Sequence, residues 1–344
     1  AMPKAIKLPS GNWRVQVMIK GKRYSFTGKT KKEVERQAAL AQEQNPEMNI
    51  TLYEAITRYI DSKEQVLSPS TIRGYCSYRD NFLDESIAEI PMNKVTIEKL
   101  QQAINICALD HSPKSCDNLR GLLAPVMRMF RPEFQFTLTV PPKEVIERMI
   151  PTDADLKKIL EVTKWTDLDL PVRMAAFGSL RISEISGLCP DCVFDDHIAI
   201  RRALVRNRHN EWVLKTTPKS YAGNRDVYYP EEIMMHLRSM AGYCRNNEPL
   251  FGTPSSINGK WSRMITKEKL PPLGFHSLRH YYATYCLGMG INDKIVQKNG
   301  GWSDLSTMKK RYQHVIEEKE LEARSIVYSQ FSKLESGSNS VSNS

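Results

Sequence analysis

Residues 178–188 read Gly178-Ser-Leu-Arg181-Ile-Ser-Glu184-Ile-Ser-Gly187-Leu188. Apolar residues at helical spacing precede and interleave with the two charges, which predicts one helix from about Val172 to Leu188. Arg181 and Glu184 stand one turn apart in it. An arginine that follows an apolar run needs a partner or a substrate, and Glu184 reads as a residue that orients Arg181 or braces His276. Downstream, Ile198–Val205, Trp212–Lys215 and Arg225–Tyr229 are strand-like, separated by a polar turn at Asn207–Asn210 and a longer loop, and predict three short strands. After Glu231 helical patterning resumes to about Lys333, and the Ser/Asn/Gly-rich tail Ser336–Ser344 reads as disordered.

Upstream, Thr152 and Asp155 open a helix, and Arg131–Pro142, with three prolines, reads as an interdomain connector. Between Thr51 and Phe130 four helix starts are legible. Thr51 with Glu54 forms a capping box, Ser68-Pro69 and Ser112-Pro113 each place a cap before a first-turn proline, and Thr96 opens the remaining helix. Nearer the N-terminus, Trp13–Ile19 and Arg23–Thr27 alternate apolar and polar residues around Lys20-Gly21-Lys22, the pattern of a β-hairpin. Thr30 and Glu33 then open a helix running to about Gln42 that covers one hairpin face, and Asn45-Pro46 begins a linker.

The composition of the 344 residues, 41% hydrophobic and 26% charged, is that of a globular chain and excludes a fibrous or wholly disordered one. No apolar run of the length of a membrane span and no leader-like segment is present, which predicts a protein acting in the cytoplasm with no membrane partner. Seven scattered cysteines fit reduced thiols. The net charge of +10 is concentrated in residues 1–36, where ten basic residues meet two acidic ones for +8. A basic module on a nearly neutral body is an electrostatic footprint for nucleic acid.

Four segments carry the chemistry: residues 178–188, then Thr217-Pro-Lys219-Ser-Tyr-Ala-Gly223-Asn-Arg225, then His276-Ser-Leu-Arg279-His280, and last Gly300-Gly-Trp302 through Thr307 to Arg311-Tyr312-Gln-His314. Together they resemble the tyrosine recombinase (phage integrase) family, with 98 residues from Arg181 to Arg279 and 33 from Arg279 to Tyr312. The resemblance covers about residues 150–320. It implies a multidomain α+β fold: an arm-type DNA-binding module at 1–45 with a small β-sheet plus helix, an all-α core-binding domain at 46–140, a mainly helical catalytic domain at 150–335 with a small three-stranded antiparallel sheet, and the tail 336–344.

The residue types suit that chemistry on physical grounds. Two guanidiniums, planar and fixed in charge, can clamp the oxygens of a reacting phosphodiester, and Arg181 and Arg279 are the expected clamp. Tyr312, among Lys309, Lys310, Arg311 and His314, is the expected nucleophile, since cationic surroundings favour a phenolate. A lysine on a turn can protonate the leaving 5′ oxygen; Lys219 is expected to do so, with Lys215 as its competitor. His276 precedes Arg279 by one turn and faces the same phosphate, whereas His280 packs. Trp302 stands where most of the family has histidine and can donate a hydrogen bond without carrying a proton. His276 and His280 also share a zinc half-site spacing with Cys189 and Cys192 as the other half, but the histidines bracket an arginine that repels a cation, so no metal is expected.

The resemblance further implies a site-specific recombinase that integrates and excises a mobile element through a 3′-phosphotyrosyl intermediate, without cofactor. A type IB topoisomerase-like nicking and rejoining enzyme and a non-catalytic DNA-binding protein are the alternatives. The expected partners are double-stranded DNA at crossover and arm sites, three further copies of the chain in a homotetramer, and an accessory DNA-bending or directionality protein, on a bacterial or phage nucleoid. The expected DNA contacts are Arg14, Gln16, Lys20, Arg23 and Ser25 on the hairpin, Thr71 and Arg73 on the Ser68 helix, and Arg225.

Overall fold

The computed structural model describes residues 5–19, 22–43, 50–143, 149–216, 224–302, 324–325 and 327–329. Lys20, Lys219, Tyr312 and the tail lie outside the described residues, as does most of the expected last helix. The chain divides into two compact units, Ala1–Val145 with Arg206–Glu211, and Ile146–Val205 with Trp212–Ser344.

In the first unit, strands β1 (Ile6–Lys7), β2 (Trp13–Ile19) and β3 (Lys22–Gly28) form an antiparallel sheet in the order β1-β2-β3. Side chains alternate between faces along a strand, so Val15 and Val17 point one way and pack on Val34 and Ala38 of helix α1 (Lys31–Glu43). Trp13 and Phe26 edge this small core. The register pairs Arg14 with Thr27, Gln16 with Ser25 and Met18 with Arg23, which puts Arg14, Gln16, Arg23 and Ser25 together on the opposite, exposed face.

Helices α2 (Leu52–Lys63), α3 (Pro69–Asn81), α4 (Glu85–Ala88), α5 (Ile97–Asp110) and α6 (Pro113–Phe130) follow. The four expected starts carry side-chain caps: Thr51 with Glu54 reciprocally, and Ser68, Thr96 and Ser112 through their hydroxyls. Each such cap is worth about 1 kcal/mol. Leu52, Ile56, Ile60, Leu100, Leu119 and Leu123 are fully buried in the core these helices share. The connector 131–142 has no regular structure, yet it belongs to that core. Leu138 is buried there, Phe134, Phe136 and Val140 pack beside it, and Arg131 donates to the carbonyls of Met92 and Val95 at 3.1 and 2.6 Å.

The second unit opens with α7 (Asp153–Thr163), capped reciprocally by Thr152 and Asp155, and α8 (Asp169–Gly178). Here the expected single helix is broken. Ser179 turns left-handed at φ 57°, Arg181 is extended, and a new short helix α9 (Ile182–Ile185) begins. The chain is tightly enclosed at this break: a Cβ on Gly178 would sit 1.9 Å from Tyr229 Oη and 2.7 Å from Val227 Cγ1, so the end of α8 is pressed against both residues.

The expected three-stranded sheet is corrected to two separate pairs. Strands β4 (His197–Ile200) and β7 (Arg225–Tyr228) pair antiparallel, with Ile200 opposite Arg225, while β5 (Arg202–Arg206) pairs with β6 (Trp212–Thr216). Arg201 interrupts what reads in sequence as one strand; its guanidinium donates to the Ile200 and Arg225 carbonyls and pairs with Asp226 at 2.8 Å. Helices α10 (Glu231–Gly242), α11 (Pro254–Lys267), α12 (Ser277–Gly288) and α13 (Asp293–Gly300) follow. They enclose a core that includes Val172, Met174, Leu237, Leu278 and Trp261, whose indole donates to the Leu273 carbonyl at 2.7 Å. No helix among the described residues is long and apolar enough to cross a membrane.

Gly178→Ala should overpack this contact and cost about 1–3 kcal/mol, read as a lowered midpoint in urea unfolding with an unchanged slope. An unchanged midpoint would show that the approach of α8 to Tyr229 is not tight in solution.

Candidate active site

Glu184 is the centre of the second unit's charged cluster. It lies on α9 with 3% of its surface exposed, and both carboxylate oxygens are shared. Oε1 accepts from Arg181 Nη1 at 2.6 Å and from Arg225 Nη1 at 3.3 Å. Oε2 accepts from the Arg181 backbone N–H at 3.0 Å and from Arg225 Nη2 at 2.9 Å. Burial pushes this carboxyl up, but the charges and hydrogen bonds of Arg225 and then Arg181 outweigh it and hold the group down at about 2.

Arg181 reaches outward from this anchor with 40% of its side chain exposed. Its Nη2 donates to the Gly301 carbonyl at 3.0 Å. Arg279, on the first turn of α12, is 1% exposed; it donates to the Ser179 carbonyl and, at 3.4 Å, to the same Gly301 carbonyl. Two guanidiniums 98 residues apart in sequence thus meet at one oxygen. That oxygen comes from a tight turn: Gly301 ends α13 at φ 67°, and Trp302 and Gln297 exchange hydrogen bonds across it, both at 3.1 Å. The Trp302 ring lies beneath Arg279, whose guanidinium carbon is 4.1 Å from the ring centroid. A Cβ on Gly300 would overlap that ring at 1.6 Å.

His276 stands at the residue before α12 and is exposed, while His280 is buried and meets it edge to face at 4.8 Å. Arg181, Glu184, Arg279 and Trp302 therefore come together, with His276 one turn from Arg279. Lys215 lies partly exposed near the end of β6; its competitor Lys219 and the tyrosine Tyr312 fall outside the described residues. Thr71 is drawn into the Ser68 cap, its hydroxyl 2.8 Å from Ser68 Oγ, and Arg73 is exposed. Among the described residues no three His, Cys, Asp or Glu side chains gather as a metal site.

The expectation for Arg225 as a DNA contact is corrected. It is 8% exposed, its Nη atoms are committed to Glu184, and its Nε donates to the Asn299 carbonyl at 3.1 Å. The Gly301 carbonyl and the left-handed Ser179 were missed in sequence. The Gly300-Gly301 doublet was the available sign of a backbone brought in close.

With this geometry in view, the comparisons with known proteins are specific. Residues 153–319 match the phage integrase family model. An integrase of Saccharopolyspora erythraea is 32% identical over 120 residues, 29% of this chain and 26% of the relative. A transposase from transposon Tn916 of Enterococcus faecalis is 29% identical over 161 residues, 39% of either chain. The chain thus matches between a quarter and two fifths of the length of these relatives. The same fold is found in an integrase of the Tn1549 transposon solved in complex with transposon right end DNA, at TM-score 0.63 and 18% identity, over 76% of this chain and 95% of that one.

Because the Glu184 carboxyl lies below its ordinary value near 4.5, its ionisation stabilises the fold above about pH 4.5, and that contribution is lost as pH falls toward about 2. Urea unfolding followed across this window should show Glu184→Gln taking up about one proton fewer per molecule than the unaltered chain on unfolding. Glu184→Ala, which strands Arg225 without its carboxylate, should cost about 3–5 kcal/mol. Equal pH dependence in the Gln variant would place Glu184 outside the ionised network.

Proposed function

We propose that the chain is a site-specific DNA recombinase that integrates and excises a mobile element by transesterification at a DNA phosphodiester. The observation that carries this reading is the convergence of Arg181 and Arg279 on the Gly301 carbonyl, because donors that meet at one oxygen are placed to bind the oxygens of one phosphate. The Tyr312 oxygen attacks phosphorus and the bond to the 5′ oxygen breaks, leaving a 3′-phosphotyrosine. The phenolic proton passes to a base, with His276 beside the clamp, and the 5′ oxygen takes a proton from Lys219 or Lys215. Phosphoester energy is kept in the phosphotyrosine bond, so rejoining by a 5′ hydroxyl reverses the step without a high-energy cofactor.

The tyrosines described near the clamp are poorly suited to the attack. Burial pushes the hydroxyl of Tyr282 up to about 12, and burial likewise raises those of Tyr229 and Tyr281, which donate to the Met174 carbonyl and to Asp153 at 3.0 and 2.8 Å. This supports Tyr312 as the nucleophile. Residues 46–140 and 150–335 act as core-binding and catalytic domains around crossover DNA, with Thr71 and Arg73 among the contacts, and four copies of the chain assemble there in the bacterial or phage nucleoid, assisted by a DNA-bending or directionality protein. Residues 1–45 bind a separate arm site through Arg14, Gln16, Lys20, Arg23 and Ser25. An exposed sheet face with Arg and Gln suits base edges in a major groove.

Incubation with nicked suicide substrates made from the element's ends should trap a covalent adduct that maps to Tyr312 and disappears in Tyr312→Phe, while DNA binding persists. An adduct on another tyrosine overturns the assignment. Arg279→Ala should slow adduct formation by about 100-fold or more, the scale for losing a donor to transition-state charge.

Deleting residues 1–45 should spare cleavage of such a substrate, sharply reduce recombination of full-length ends, and flatten the salt dependence of binding to them. Recombination at the unaltered rate would remove the arm-binding role.

A further inference from the structure

The reaction just described leaves Arg225 without a step, although it is the most enclosed guanidinium of the site after Arg279 among the described residues. We infer that Arg225 is a positioning residue for the phosphate clamp: through Glu184 it fixes the guanidinium of Arg181, and through the Asn299 carbonyl it fixes the turn on which Arg181 and Arg279 converge. The inference rests on the transesterification reading and adds to it a residue that touches neither DNA nor the reacting atoms.

The geometry shows why arginine suits the place. Its Nη atoms donate to both oxygens of Glu184, at 3.3 and 2.9 Å, while Nε turns to Asn299 at 3.1 Å. One planar fork therefore ties a strand, a helix and the end of another helix together, which a lysine's single ammonium cannot do. Arg181 takes the same two carboxylate oxygens from the other side, through Nη1 at 2.6 Å and its backbone N–H at 3.0 Å. A carboxylate held at both oxygens from two sides cannot rotate, so Arg181 inherits a fixed direction although 40% of its side chain is exposed. Asn299 lies two residues before Gly301, so movement at the Arg225 contact is passed to the oxygen that both clamp arginines touch.

The groups facing this pair set the expected pH behaviour. Glu184 faces Arg181, Arg225 and Tyr229; Arg225 also faces Tyr282 of α12. Without Arg225, burial and a single remaining arginine oppose each other at Glu184. Its carboxyl then takes a proton at higher pH than before, and an acid limb enters the cleavage profile from its low-pH side.

The test uses the full chain and a suicide substrate, reading adduct rate, DNA affinity and pH profile. Arg225→Met should slow adduct formation by about 100-fold, comparable to loss of one clamp donor. Its affinity for the same duplex should stay within about threefold, because no DNA contact is removed. Its acid limb should move up by about one pH unit or more, and that limb should be absent in the double variant Glu184→Gln/Arg225→Met. The double variant should also be no slower than the slower single one, since both act through one unit. Arg225→Lys, which keeps charge and one bond to Glu184, should recover about tenfold of the loss, and it carries the test if the Met variant does not fold.

Adduct formation at the unaltered rate in the folded variant, or a parallel loss of affinity and cleavage, overturns the positioning role. Rescue of Arg225→Met by a 5′-bridging sulfur, which leaves without a proton, also overturns it and assigns Arg225 to the leaving group. Absence of any adduct from the unaltered chain is a different result: it overturns the transesterification reading itself.

Discussion

A carboxylate buried between guanidiniums is the constraint on which the second unit depends. Glu184 could not remain ionised at 3% exposure without Arg225 and Arg181, and Arg225 could not be enclosed without it. The short helix α9 exists to present this group, and the break before it lets Arg181 leave the helical path with an extended backbone while its N–H returns to Glu184. Replacing the three charges by apolar residues of similar volume could leave a fold as stable as this one. What it would remove is direction: a cationic side chain held at a fixed angle at the mouth of the cluster.

Much of this was legible in sequence where local chemistry decides the outcome. The caps at Thr51, Ser68, Thr96, Ser112 and Thr152 are local hydrogen bonds, and each marks its helix start within a residue. The alternation in Trp13–Ile19 sorts Val15 and Val17 from Arg14 and Gln16 for the same reason. The misreadings are tertiary. Nothing local to Gly178 announces that Tyr229, 51 residues later, will press on the end of its helix, and nothing in Arg225 distinguishes a DNA contact from a partner of a carboxylate 41 residues earlier. Arg201 looks like one more strand residue until its guanidinium is seen pairing with Asp226.

The candidate site divides along the same line. The resemblance of the four segments to the recombinase family singled out Arg181, Glu184, His276, Arg279 and Trp302, and the charge and hydrogen-bonding capacity of those residue types suited the chemistry it implies. Backbone atoms left no such trace. The carbonyls of Ser179, Asn299 and Gly301 do much of the orienting, and any residue has a carbonyl; only the conformations that expose them, left-handed at Ser179 and Gly301, carry information.

The meeting of Gly300 with the Trp302 ring has a consequence for how this site can change over generations. The indole occupies the volume a side chain at 300 would need, so the two positions cannot drift independently. While tryptophan stands at 302, a substitution at 300 has to displace its ring. Exchange to a smaller ring such as imidazole would open position 300 and, in the same event, weaken the stacking under Arg279 that the large indole provides. A path from one ring to the other therefore has a preferred order, the ring first and position 300 afterwards, and chains with a bulky residue at 300 should be found only among those that have already given up the indole.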